Sequence, residues 1–147
     1  MRRERIGIWM LYVLASITAF SGFAADFNFT HLFNPAWTAH AKFHDAMTIS
    51  LGLFLGLLGL YFLVRRAHGD LHFLNLASLF PTIFWASMVV SFLFPGVGGL
   101  DADFPDLVPV VAGMRINELP VAMLMLLLLA VAVRMARPSR TFLKHHS

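Results

Sequence analysis

His40 and His44 stand four residues apart. On a helix that spacing stacks two imidazoles on one face, where both can ligate a single divalent ion. Asp26, His31 or Glu118 would complete such a site. The intervening Ala41, Lys42 and Phe43 exclude an HExxH motif, so a metalloprotease base is missing. The chain has no cysteine, and metal chemistry here must use His, Asp and Glu. A second chemistry needs no metal. His44 and Glu118 at a partly desolvated boundary form a candidate acid–base pair, because burial and neighbouring charge move pKa values into a useful range. Two plainer readings stand beside these. The histidines can bond loop carbonyls, and Arg115, three residues before Glu118, can neutralise it as an ion pair. Asp26, His31, Asn34, Trp37, Arg115 and Asn117 are the expected binding residues.

The elements that must position these groups are apolar helices. Of 147 residues 59% are hydrophobic and only 13% charged, against about 25% charged in soluble domains. Mean hydropathy is +0.74. Four apolar runs, Ile6–Ala25, Ala46–Val64, Leu71–Phe94 and Ile116–Val133, approach the ~20 residues that cross ~30 Å of hydrocarbon. Backbone groups in lipid must bond within the segment, so the runs predict helices. The expectation is an all-α, single-domain bundle of four transmembrane helices, spanning residues 6–25, 35–64, 71–94 and 108–133. The start of the chain also has signal-peptide features, with Gly22 and Ala24 near a plausible cleavage point; the length of its apolar run favours an uncleaved anchor.

Charge gives the orientation. Arg2, Arg3, Arg5, Arg65, Arg66, Arg134, Arg137, Arg140 and Lys144 fall on one side of the spans; only Lys42 and Arg115 fall on the other. The positive-inside rule makes the first side cytoplasmic and holds both termini there. The net charge of +3 comes from these flanking clusters, and no basic stripe interleaved with aromatics points to nucleic acid. Counting about 20 residues outward from Arg5, Arg65 and Arg134 reaches Ala25, Asp45 and Met114. Asp26, His44, Asp45, Arg115, Asn117 and Glu118 therefore share one layer, the outer interface.

Asn34-Pro35 reads as the start of the second helix, with Asn34 capping and Pro35 at the first helical position. Trp37, His40, His44, Met47 and Leu51 then share one face, expected to look into the bundle or its mouth. Gly52-x-x-x-Gly56 allows a close helix contact, and Pro81 removes a backbone bond and should kink the third helix. The stretch PGVGGLDADFPDLVP reads as a solvated acidic outer loop, since Asp101, Asp103 and Asp106 lack the EF-hand pattern. On the basic side Asp70 is a cap candidate, His68 and His72 flank a turn, and His145 and His146 belong to a tail.

Thr30-His31, Asn34-Pro35-x-Trp37 and His40-Ala41-Lys42-Phe43-His44 resemble a pattern in small four-helix membrane proteins that are broadly DoxX-like. The resemblance implies a four-helix bundle with a constrained outer site at these residues. Some DoxX-type proteins are associated with quinone-linked sulfur redox chemistry; without a cysteine or a clear quinone signature this chain gives no basis for carrying that activity over. The expected function is binding of a lipid-like or other hydrophobic small molecule in a His/Glu-lined outer pocket, with acid–base or metal-assisted chemistry. The alternative is an accessory or structural subunit in a homo- or hetero-oligomer. The expected location is a bacterial inner membrane, or else a eukaryotic endomembrane.

Overall fold

The computed structural model describes residues 2–138; Arg140, Lys144, His145 and His146 lie outside them. Four long helices carry the fold: α1 (Arg2–Ala25), α2 (Ala39–Arg65), α3 (Leu71–Ser91) and α5 (Glu118–Ala136). Between α3 and α5 the chain forms a one-turn helix α4 (Leu100–Asp103), a 3-10 turn (Pro105–Leu107) and a two-stranded hairpin. Its strands are β1 (Val110–Val111) and β2 (Met114–Arg115). All four long helices are long and apolar enough to cross a membrane. Their outward faces remain apolar, with Val13, Phe54, Leu79 and Leu127 exposed, as expected where the surrounding solvent is lipid. The chain is an integral membrane protein of four such helices.

The helices run up and down in turn. α1 packs between α2 and α5, α3 closes the ring against both of these, and α1 meets α3 across the diagonal. Among the described residues Arg2, Arg3, Arg5, Arg65, Arg66, Arg134 and Arg137 gather at one end. There the Arg3 guanidinium donates to the Arg134 carbonyl at 2.8 Å, and Arg66 pairs with Glu4 at 3.5 Å. The start of α1 and the end of α5 thus lie together. Asp70 caps α3 by accepting the Phe73 N–H at 3.1 Å.

Small residues set the helix spacing. The buried stripe of α2 is Ile49, Gly52, Gly56, Gly59 and Leu63. A Cβ at Gly56 would run into the backbone of Ala19 on α1, and one at Gly7 into the backbone of α5 near Ala136. Without a side chain these backbones come into direct contact, which is how helices gain packing energy in lipid. Gly59 lies against Pro81 and the Ala77 carbonyl on α3. Pro81 has no N–H to offer that carbonyl, yet α3 continues through it as one helix. One buried polar tie crosses the diagonal: Trp85 Nε1 donates to the Thr18 hydroxyl at 2.8 Å, which donates on to the Leu14 carbonyl at 2.9 Å.

Three expected boundaries move. The second helix begins at Ala39, not Pro35. Thr38 caps it, accepting the Ala41 N–H at 3.2 Å, and Asn34 instead turns back into the preceding loop. Asn and Thr are both competent caps, and the loop's need to satisfy the buried Asn34 amide decides between them. The fourth helix begins at Glu118, not residue 108. Ala112 and Gly113 take φ of 49° and 79°, a left-handed pair that makes a tight hairpin turn and cannot lie in a helix. Asn117 then caps α5 by accepting the Leu119 N–H at 3.1 Å. The third helix also ends earlier, at Ser91 rather than residue 94.

Candidate functional site

The loop between α1 and α2, residues 26–38, is held by its own side chains. Asn28 Oδ1 accepts both the Thr30 N–H at 2.8 Å and the Thr30 hydroxyl at 2.6 Å. The Asn28 amide donates to the Ala25 carbonyl at the end of α1. Buried Asn34 donates to the Thr30 carbonyl at 3.2 Å and accepts the Ala36 N–H at 2.9 Å.

These bonds fix a tautomer. Asn28 Oδ1 carries no proton, so the Thr30 hydroxyl must direct its single hydrogen there. His31 Nδ1 lies 2.7 Å from that same hydroxyl and must therefore be the donor. When His31 is neutral its lone pair is on Nε2, which faces Asp26 Oδ1 at 3.7 Å. Trp37 meets the imidazole edge-on, ring centres 5.5 Å apart, and holds its orientation.

Asp26 is the first residue past α1. A helix C-terminus is the unfavourable end for an anion. Burial raises its pKa from 3.8 to about 6; His31 opposes the rise, while the charges of Asp45 and Glu118 add to it. Asp26 thus faces the His31 imidazole with its carboxyl held well above the ordinary carboxylate range.

The pair borders a cavity of about 250 Å³. Its base is Phe84, Trp85 and Met88 of α3; its sides are Ser21, Gly22 and Ala25 of α1 with Val121 of α5. Leu100, Leu107, Val108, Pro109 and Ile116 of the segment between α3 and α5 cover it. Asn117 and Glu118 line the edge where that loop meets α5. Both Glu118 oxygens accept the Leu100 N–H, at 3.1 and 3.0 Å, and Asn117 Nδ2 donates to Asp101 at 2.7 Å. Gly99 makes this clasp feasible, because a Cβ there would lie 2.5 Å from Glu118 Oε2.

Of the residues expected from the sequence, the cavity gathers Asp26, His31, Asn117 and Glu118. Trp37 supports it through His31, and Asn34 through the loop. His40 and His44 do not line it. They are exposed, with their Nε2 atoms 3.1 Å apart in a hydrogen bond to each other. The stripe they share with Met47 and Leu51 faces outward, since the glycines of α2 claim the inner face. Among the described residues no three His, Asp or Glu side chains are grouped to hold a metal ion. Arg115 does not pair with Glu118; its guanidinium donates to the Pro105 carbonyl at 3.0 Å.

Asp45 is the residue the site reading missed. It couples to Asp26 and to His31, and its Oδ2 is buried without a hydrogen-bond partner. The signal was in the sequence: Gly59, Gly56, Gly52 and Ile49, continued one turn outward, reach Asp45 and not His44.

No curated protein and no solved structure matches the chain. A family of unknown function, DUF6640, matches it over residues 10–137, and the chain belongs to that family.

Proposed function

We propose that this protein binds a hydrophobic small molecule in the cavity at the outer end of its helices, with Asp26 and His31 meeting the polar part of the guest. The observation that carries this reading is the cavity itself: apolar walls of about 250 Å³ with a few polar groups gathered at one rim, the usual make-up of a small-molecule site. Acid–base capacity then belongs to Asp26 and His31 rather than to His44 and Glu118. Glu118 serves as the clasp of the covering loop. The basic end faces the cytoplasm, with N and C termini inside, by the positive-inside rule. The DoxX-like layout of the first outer loop agrees with a constrained site there. A divalent ion on His40 and His44 is a separate proposal. Their nitrogens lie 3.1 Å apart, a separation two ligands at ~2.1 Å from one ion would also have, and the remaining ligands would come from outside the chain.

Trp85 is a wall of the cavity, so a brominated guest should quench it. Titration of the purified protein with 8-bromo-1-octanol is expected to give saturable quenching of tryptophan emission. Val121→Phe, which fills the space, should abolish the saturable part. Quenching that rises linearly, or that Val121→Phe leaves intact, would sink the proposal.

An accessory-subunit role is favoured by a different observation. Leu93, Phe94, Val110, Val111 and Met114 expose apolar surface on the second outer loop, beyond the ends of the long helices, and surface of that kind serves contacts with another protein or the membrane interface.

A further inference from the structure

The charge balance of the cavity rim is lopsided. Asp26 and Glu118 line it and Asp45 stands behind them, coupled to Asp26. One imidazole, His31, interacts with Asp26 and Asp45, and among the described residues no Lys or Arg lines the cavity. The nearest loop guanidinium, Arg115, is committed to the Pro105 carbonyl. The same rim receives the C-terminal end of α1 through Gly22 and Ala25, where helix carbonyls favour a cation. The walls below are apolar.

From this we infer that the guest is a cationic amphiphile: a protonated amine or similar head group seated against Asp26, with an apolar body lying along Trp85 and Met88. The inference rests on the cavity reading above and narrows it to one chemical class. A carboxylate or phosphate head would meet the like charge of Asp26 and Glu118 at the rim. A neutral alcohol would satisfy hydrogen bonds but leave the carboxylates mutually repelled. An ammonium removes that repulsion, and a charge-assisted hydrogen bond to a half-buried carboxylate exceeds a neutral one.

Proton linkage follows. The groups facing Asp26 are His31 from its own loop, Asp45 from α2 and Glu118 from α5; α3 presents only Phe84, Trp85 and Met88. An ammonium favours ionised Asp26, so its binding weakens as pH falls through about 6, where Asp26 takes up its proton. A neutral head group has no such dependence on these charges.

The test uses displacement of 8-bromo-1-octanol from the full-length protein in detergent, with empty micelles as the blank. The competitors are 1-octylamine, 1-octanol and octanoate, which share one chain length. At about pH 7.5, octylamine is expected to displace the probe at about tenfold lower concentration than octanol, with octanoate the weakest. The octylamine-to-octanol ratio is read within each variant, so it does not depend on the yield of folded protein. Asp26→Asn should bring it close to one, Asp26→Glu should restore part of it, and lowering the pH to about 5 should shrink it in the native protein. Equal displacement by octylamine and octanol overturns the cationic class while the cavity reading stands. A preference that Asp26→Asn leaves intact overturns the assignment to Asp26. If 8-bromo-1-octanol shows no saturable binding at all, both readings fall together.

Discussion

Asp26 shows how a single position can join the end of a helix to a site. It follows α1 directly, its backbone carbonyl accepts the N–H groups of Asn28 and Leu32, and its carboxyl is left facing His31. Its proton is bound more tightly in the folded chain than in the unfolded one, since the pKa rises from 3.8 to about 6. The stability from this group is complete below about 3.8 and is lost as pH rises through about 6. Asp26→Asn, which mimics the protonated form, should therefore raise the melting temperature at about pH 8. The gain should close as pH falls from about 6 towards 4. A variant that melts lower than the native protein at pH 8 would contradict the sign. The neighbouring His31 shows a different economy of protons. Its tautomer is set two bonds away, by an asparagine oxygen that has nothing to donate.

At the scale of elements, the glycines of α2 matter more than its histidines. Gly56 is the closest approach between α1 and α2. Gly56→Leu should force the two backbones apart and cost about 3 kcal/mol or more. Phe54→Leu, on the lipid-facing side, should change stability by no more than ~0.5 kcal/mol. Thermal unfolding in detergent checks both, and equal effects would mean that α1 and α2 do not pack as described. The same glycines explain what could be read in advance. Four spans were legible from hydropathy, because lipid leaves the backbone few alternatives. The layer shared by Asp26, Asn117 and Glu118 was legible from counting residues back to the arginines. Which face of α2 turns inward was not taken from the histidines correctly, because in lipid small residues, not polar ones, choose the contact face. The start of α2 was ambiguous because Asn34 and Thr38 both cap well. The start of α5 was obscured because Val108 to Val111 look as apolar as a helix, and only the Ala112–Gly113 turn and Asn117 interrupt that pattern.

For the whole molecule, the start of α1, the end of α5 and the loop between α2 and α3 lie at the basic end, while the two longer loops and the cavity lie at the other. A chain with no native cysteine permits a direct test of which end faces out. Ala67→Cys reports on the basic end and Ala112→Cys on the hairpin. In intact cells a membrane-impermeant maleimide is expected to label Ala112→Cys, and to label Ala67→Cys only after permeabilisation. The reverse pattern would invert the topology and place the cavity towards the cytoplasm.

The clasp on the covering loop has a kinetic side. The turn that begins at Leu100 is tied down by the Glu118 carboxylate and by the Asn117 amide on Asp101, and Gly99 must stay bare for the carboxylate to reach it. A guest of the proposed cavity is expected to leave no faster than that clasp lets go. On that reading the lifetime of the bonds at the rim sets how long the guest stays, and the walls below set only its equilibrium occupancy.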